Sequence, residues 1–165
     1  MSTLSTLYGV LDPIPARPVR VAFLAEALFH VVTIPLITRP YGYLSFFMVR
    51  PADITLATQF FARVFAGLIL FGMSPLLLYG VPNTKRAIGS RRATYIMLAG
   101  TEIYLIPLLL IELSKGGQHD HGAALTVVAT IGLMSLLVLP FAFRMYALFV
   151  KPVMMGDLED SKRRD

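Results

Sequence analysis

The stretch ATYIMLAGTEIYLIPLLLIEL, residues 93–113, lies between Arg92 and Lys115 and carries only two charged side chains, Glu102 and Glu112. A helix needs about 20 mainly apolar residues to cross a bilayer, because each residue advances the chain by about 1.5 Å. Residues 93–113 meet this requirement, so we predict that they form a membrane-spanning helix. The same criterion selects three further stretches, at residues 21–38, 59–81 and 123–150.

The composition agrees with an integral membrane protein. Of 165 residues, 56% are hydrophobic and 15% are charged, whereas soluble domains contain about 25% charged residues. A chain of this length is expected to form one compact unit. We therefore predict an all-α four-helix transmembrane bundle at residues 21–150. A cytosolic or interfacial arm (1–20) precedes it and a cytosolic tail (151–165) follows it.

Basic residues are distributed unequally between the two ends of the predicted bundle. Four spans put both termini and the second connection on one side, and positive residues are enriched on the cytosolic side of membranes. Both termini are therefore predicted to face the cytosol. The other side carries Arg39, Arg50 and Lys115. The side of the termini carries Arg17, Arg20, Lys85, Arg86, Arg91, Arg92, Lys151, Lys162, Arg163 and Arg164.

The C-terminal sequence Lys162-Arg163-Arg164-Asp165 is similar to the basic retrieval tails of endoplasmic reticulum proteins, which face the cytosol. It predicts a multi-pass protein of the endoplasmic reticulum, with an ordinary positive-inside anchor as the alternative. The net charge of +5 is located at helix ends. It does not form a basic face with interleaved aromatic residues, so the sequence predicts no nucleic-acid partner.

Metal and cofactor chemistry have little support in the sequence. The chain has no cysteine, which excludes sulfur-ligated metals. His119-Asp120-His121 offers two metal ligands, but the preceding Gly116 and Gly117 favour a solvated turn. There is no glycine-rich phosphate loop and no His-Glu-x-x-His motif. We predict neither a cofactor nor a metal.

Apart from Glu112, which is next to the end of its span, five charged or histidine side chains lie within the predicted spans, where a charge costs at least about 2.5–3.5 kcal/mol. Such residues usually face the interior of a bundle and indicate a functional site. One polar stripe per helix, pointing inward, predicts a polar-lined cavity. The five are Glu26 and His30 in the first span, Arg63 in the second, Glu102 in the third and Arg144 in the fourth.

Depth along the helices suggests how these side chains pair. The rise per residue puts Glu26 and Arg144 about 9 and 10 Å from the cytosolic ends, and His30 and Glu102 about 15 Å from them. Glu26 is therefore expected to pair with Arg144, and His30 with Glu102. Arg63 lies near the luminal face, where it is expected to reach towards Glu102, to pair with Glu112, or to extend to water.

Two further features affect the shape of the bundle. Each predicted helix contains one proline, which we expect to kink it. The long connection at residues 39–58 is rich in aromatic residues, so it is expected to lie in the membrane interface or to form a lid over a cavity. The prolines are Pro35, Pro75, Pro107 and Pro140.

In size, predicted topology, basic tail and intramembrane carboxylates, the chain resembles the four-helix endoplasmic reticulum proteins of the sterol isomerase and sigma-2 receptor group. In outline it is also similar to small membrane enzymes of fungal metabolite pathways, such as epoxide-opening hydrolases and cyclases. These resemblances imply an endoplasmic reticulum protein that binds or converts a lipophilic small molecule. They assign no role to individual residues, because no acidic motif of those proteins aligns with this chain.

The first functional hypothesis is an enzyme that acts on a lipophilic small molecule by acid–base chemistry. The reaction would be an isomerisation, a cyclisation or the hydrolysis of an epoxide, with secondary metabolism as one setting. Glu102, His30 and Arg63 are the predicted catalytic residues. Glu102 transfers a proton, His30 assists it, and Arg63 stabilises negative charge. The predicted substrate-binding residues are Glu26, Tyr95 and Arg144, of which Tyr95 shares a helical face with Glu102.

The second hypothesis needs no chemistry. A lipid- or sterol-binding protein, or a small accessory subunit of a membrane complex, would contain the same buried ion pairs and kinked helices. Its partners would be the lipid bilayer together with a lipophilic ligand, another membrane protein or further copies of the chain. A channel or proton carrier ranks last, because four helices make a thin bundle.

Overall fold

The computed structural model describes residues 16–156, which are helical apart from their connections and one isolated β-bridge. In this range, four long helices have the length and apolar character needed to cross a membrane, as predicted. The N-terminal arm before residue 16 and the basic tail at residues 157–165 lie outside the described residues. The helices are α1 (Arg17–Thr38), α2 (Leu56–Gly80), α3 (Lys85–Ser114) and α4 (Val127–Val150).

Polar capping residues determine where the helices begin. The side-chain oxygens of Thr55, Thr84 and Thr126 each accept a hydrogen bond from the backbone N–H three residues later, at 3.1, 3.3 and 3.2 Å. Such caps satisfy backbone donors that have no partner within the helix. For this reason α2 begins three residues before its predicted start and α3 begins eight residues before its own. Helix α4 begins four residues after its predicted start. Helix α1 already begins at Arg17, inside the segment predicted as an arm.

Two of the four prolines coincide with a change of helix type. A 3-10 turn, His30–Thr33, comes just before Pro35, and a π-helical segment, Leu68–Met73, comes just before Pro75. Proline has no N–H to donate to the preceding turn, so the hydrogen-bond pattern there must change. Pro107 and Pro140 instead lie within regular α-helix.

The helices pack in chain order, α1 on α2, α2 on α3 and α3 on α4. We call the end where α1 begins and α4 finishes the termini end, and the opposite end the loop end. The main apolar core lies at the termini end, where the turn Pro152–Met155 folds back onto α1 and α3. This core includes Val19, Phe23, Leu77, Tyr95, Leu148 and Met155.

Two arginines predicted only as orientation signals are buried at the termini end. Arg91 donates to the carbonyl oxygens of Gly80, Pro82 and Met155 at 2.8, 2.8 and 2.7 Å. Arg20 donates from Nε to the carbonyl oxygen of Val81 at 2.7 Å. The last carbonyls of a helix have no partner within it and carry partial negative charge, so these cations stabilise the end of α2.

The two connections at the loop end are bound to each other. Met48 and Leu125 form an antiparallel β-bridge, and the Thr126 N–H donates to the Phe47 carbonyl oxygen at 2.8 Å. The carboxylate of Glu112 accepts from the N–H groups of Ala124 and Leu125. Segment 39–55, which contains the short helix Pro40–Leu44, is thereby fixed to the connection between α3 and α4.

Candidate functional site

Arg144 lies between two carboxylates from two other helices. Its Nη2 donates to Glu26 of α1, and its Nη1 donates to Glu102 of α3. Arg144 and Glu102 are 2% and 4% exposed, and the Glu26 side chain is 22% exposed. The predicted pairing of Glu26 with Arg144 is present. The additional contact with Glu102 joins three helices through one guanidinium.

The charges of this cluster do not cancel. In their ionised forms, two carboxylates and one guanidinium leave one net negative charge inside the bundle. Two atoms of the cluster, Glu102 Oε2 and Arg144 Nε, are buried and have no hydrogen-bond partner among the described residues. Buried polar atoms are usually satisfied. One acceptor and one donor of the cluster are therefore buried without a hydrogen-bond partner among the described residues.

Aromatic side chains form the wall of the cluster towards the termini end. The guanidinium carbon of Arg144 lies 5.7 Å from the ring centre of Tyr95. Tyr95 stacks on Phe23 with ring centres 4.8 Å apart, and it meets Phe143 in an edge-to-face arrangement with ring centres 6.4 Å apart. A cation over an aromatic face is attracted to it. The predicted binding residue Tyr95 thus lies against the cluster, where it helps to exclude water.

His30 does not pair with Glu102 as the depth estimate suggested. Its Nδ1 lies 2.8 Å from the hydroxyl oxygen of Ser74 on α2, and that hydroxyl donates to the Ile69 carbonyl at 3.2 Å. Which of the two groups donates in the His30–Ser74 contact depends on the tautomer of the imidazole ring. The two residues have similar depth, but their helices present them in different directions.

Arg63 lies outside the cluster. Its side chain is exposed, and its Nε donates to the Ile37 carbonyl oxygen of α1 at 3.2 Å. Glu112, one of the three alternatives predicted for Arg63, instead forms an ion pair with Lys115 at 2.9 Å. Arg63 is eleven residues from Ser74 along α2, about 16 Å. This distance explains why it caps α1 at the loop end and does not reach Glu102.

A cleft of about 360 Å³ lies between α1 and α4 at the loop end. Three aromatic residues of segment 39–55, Tyr43, Phe46 and Phe47, line it. The cleft is apolar, in contrast to the predicted polar-lined cavity, because the polar side chains contact each other nearer the termini end. The remaining lining residues are Phe29, Val32, Thr126, Val128, Ala129, Gly132, Leu133 and Leu136.

The histidine-containing turn is part of the contact between the loops. His119 Nε2 lies 3.3 Å from Arg50 Nη1 and 3.4 Å from Asp53 Oδ2. Across residues 16–156, the side chains of histidine, aspartate and glutamate form no group of three or more suited to a metal ion.

Comparisons of the chain with protein-family models, with curated proteins and with solved structures found no match. Its function is therefore inferred from the geometry of the site.

Proposed function

We propose that the chain is a membrane-embedded enzyme that acts by acid–base chemistry on a lipophilic small molecule. The observation that carries the proposal is the ratio of two carboxylates to one guanidinium in the buried cluster. One ion pair is sufficient to join two helices, and it is neutral. A second carboxylate, when ionised, adds a charge that no other group of the cluster compensates, and an ionisable residue within a membrane span usually marks a functional site.

The cluster contains the groups that proton transfer requires. Glu102 binds Arg144 through Oε1, while the buried Oε2 has no partner among the described residues. We assign to Oε2 the transfer of a proton to or from the substrate. Glu26 and His30 are one helical turn apart, so they supply a second carboxylate and an imidazole nearby. Arg144 and Tyr95 orient the substrate, and Arg63 has no role in this scheme.

Isomerisation, cyclisation and epoxide hydrolysis are the reactions that these groups can support. Each proceeds by proton transfer and needs no cofactor. Between 11% and 17% of the residues in the most apolar stretch of each helix are buried within the bundle, so most side chains face outward. A substrate dissolved in lipid would reach such a bundle from the side.

A second function, as an accessory subunit of a membrane complex or a homo-oligomer, is favoured by the outward surface of α2. Four phenylalanines there are 55–74% exposed, and aromatic residues are enriched at protein interfaces. Under this hypothesis, a helix of another membrane protein or of a second copy of the chain packs against these phenylalanines. The four are Phe60, Phe61, Phe65 and Phe71. The remaining non-enzymatic alternative, a lipid- or sterol-binding protein, is favoured by the apolar cleft at the loop end.

For its location, we propose the endoplasmic reticulum with both termini in the cytosol. The distribution of basic residues supports the orientation, and the basic C-terminal sequence supports the organelle.

Gene deletion in the native host tests the enzyme. Lipophilic extracts of the deletion strain and its parent are compared by liquid chromatography and mass spectrometry. The deletion is expected to accumulate one compound and to lose its product, and the wild-type gene is expected to restore the product. Glu102→Gln should not restore it, whereas Asp120→Asn, which removes a fully exposed carboxylate, should. An unchanged profile, together with a stoichiometric partner purified in mild detergent, would contradict the enzyme and favour the subunit.

A further inference from the structure

We propose that Ser74 is a positioning residue that holds the His30 ring with a proton on Nδ1, which makes Nε2 of His30 the proton acceptor of the site. The inference rests on the proposed function and adds a second proton-transfer group to Glu102. Ser74 belongs to α2 and is 7% exposed, and His30 belongs to α1 and is partly buried. Their contact at 2.8 Å therefore joins the two helices inside the bundle.

The local helix type of α2 gives Ser74 a second partner. Segment Leu68–Met73 is π-helical, and the Ser74 hydroxyl donates at 3.2 Å to the carbonyl oxygen of Ile69, five residues earlier. On α1, His30 is the first residue of the 3-10 turn His30–Thr33. The contact thus lies where both helices depart from regular α-helix. Single-turn π segments inside α-helices are frequent at functional sites.

The hydrogen bond to Ile69 favours one direction for the contact between Ser74 and His30. Either group could donate in that contact, but a serine hydroxyl has one proton and two lone pairs. While its proton is donated to Ile69, the oxygen can only accept from Nδ1 of His30. Both ring nitrogens of an imidazolium donate, so this contact is kept when Nε2 gains a proton. Proton uptake by His30 therefore requires no rearrangement of its partner.

The ring of His30 belongs to the surroundings of the charged cluster. It lies one helical turn after Glu26 and is close enough to Glu26 and Arg144 to interact electrostatically with both. Arg144 in turn donates to Oε1 of Glu102. In the described part of the chain, no hydrogen bond uses Nε2 of His30. The imidazole and the carboxyl group of Glu102 therefore have the same guanidinium as a neighbour.

One proton makes these four groups neutral in two ways. With the proton on Glu102 and a neutral His30, the remaining charges of Glu26 and Arg144 cancel. With the proton on His30 and an ionised Glu102, two negative and two positive charges cancel. Charges in an apolar interior are costly unless they are compensated, so both arrangements avoid the net charge that the cluster carries without His30. The second carboxylate thus has a partner, the imidazolium of His30.

This pair of groups favours isomerisation among the proposed reactions. Nε2 of His30 removes a proton from one carbon of the substrate, and Oε2 of Glu102 delivers its proton to another carbon. A double bond moves, and the substrate keeps its composition. The proton on His30 then returns to Glu102 before the next turnover. No oxidant, reductant or co-reactant is consumed.

The protonation of the His30 ring tests the positioning role without a substrate. The chain contains three histidines, so ¹⁵N-labelled histidine gives few ring signals, which are assigned by replacing each histidine in turn. In purified protein in nanodiscs, Nδ1 of His30 is expected to stay protonated across neutral pH, while Nε2 loses its proton as the pH rises. Ser74→Ala should shift the proton of the neutral ring towards Nε2. Ser135→Ala, which removes an exposed hydroxyl on α4, should not. A neutral wild-type ring protonated at Nε2 would overturn the proposal.

Rates test whether His30 acts in the reaction, with the compound that accumulates in the deletion strain as substrate. At equal amounts of folded protein, His30→Gln is expected to be at least about 100-fold slower than wild type. Ser74→Ala should lower kcat about tenfold without changing KM, because one hydrogen bond that holds the ring is lost. Ser74→Thr, which keeps the hydroxyl, should recover most of that loss.

The same rates separate this inference from the proposed function. A slow Glu102→Gln variant together with His30→Gln at the wild-type rate would overturn the role of His30 and leave the proposed function standing. Wild-type rates in both variants would overturn both.

Discussion

Arg144 is the side chain on which the buried cluster depends. Without it, Glu26 and Glu102 would remain close together in an apolar interior, and breaking a buried pair in this way costs about 3–5 kcal/mol. Arg144→Met is therefore expected to lower the thermal unfolding temperature of the detergent-purified protein substantially. Adding Glu26→Gln and Glu102→Gln to that variant should restore most of the loss, because no buried charge is then left uncompensated.

Arg63→Met is the matched control for this prediction. Arg63 is exposed and donates one hydrogen bond to Ile37, so its loss should cost only about 0.5–1.5 kcal/mol. Equal destabilisation by Arg144→Met and Arg63→Met would contradict the central position of Arg144.

The sequence predicts which residues form the site better than it predicts their contacts. Ionisable side chains within apolar stretches identify Glu26, His30, Glu102 and Arg144, and the helical rise gives their depth, but the same criterion also selects Arg63, which lies outside the cluster. Depth contains no information about direction around the helix axis, so neither the second carboxylate on Arg144 nor the His30–Ser74 contact follows from it. Arg91 was missed for a related reason. Hydropathy does not distinguish an arginine that extends to water from one that turns inward to carbonyl groups.

Helices α1 and α2 are in close contact at Gly80. A β-carbon at this position would lie 2.5 Å from Cε1 of Phe23, a fully buried ring that stacks on Tyr95. Gly80→Ala is therefore expected to destabilise the protein by about 1–3 kcal/mol, because the core must move to accommodate the methyl group. Thermal unfolding in detergent measures the change. Gly67→Ala, on the same helix with no atom within 4 Å, should not destabilise the protein.

Glu112 fixes the connection between α3 and α4 by accepting from the Ala124 and Leu125 amides, and this connection is bound to segment 39–55 through the Met48–Leu125 bridge. Glu112→Ala removes the acceptor of both N–H groups and is expected to loosen the adjoining bridge to Met48. Hydrogen exchange at residues 124–126 and at Val49 should accelerate, because the local opening that exposes these amides would cost less free energy. Asp120→Ala, at an exposed position in the same connection, should leave exchange at these amides unchanged. Unchanged exchange in Glu112→Ala would contradict this role.

The four long helices could be predicted from apolar length alone, but their ends could not. Capping by Thr84 extends α3 eight residues towards its N-terminus, through a polar stretch that no hydropathy criterion includes. The change of helix type before Pro35 and Pro75, and its absence at Pro107 and Pro140, depends on packing around each proline. Composition does not contain that information.

At the scale of the whole molecule, the predicted orientation can be tested directly, because the chain contains no cysteine. Single cysteines are introduced by Gly89→Cys near the termini end and by Gln118→Cys in the loop end connection. In sealed microsomes, a membrane-impermeant maleimide should label Gly89→Cys directly and Gln118→Cys only after permeabilisation. The reverse pattern would mean that the termini face the lumen.

The central claim, that the buried carboxylate Glu102 transfers a proton to or from a lipophilic substrate, is tested most directly by a rate. The compound that accumulates in the deletion strain is added to membranes containing equal amounts of folded wild-type or Glu102→Gln protein, and initial conversion is measured. General acid–base groups contribute about 10²–10⁴-fold, so Glu102→Gln is expected to be at least about 100-fold slower than wild type. Asp120→Asn should keep the wild-type rate. Conversion by folded Glu102→Gln at the wild-type rate would contradict the claim.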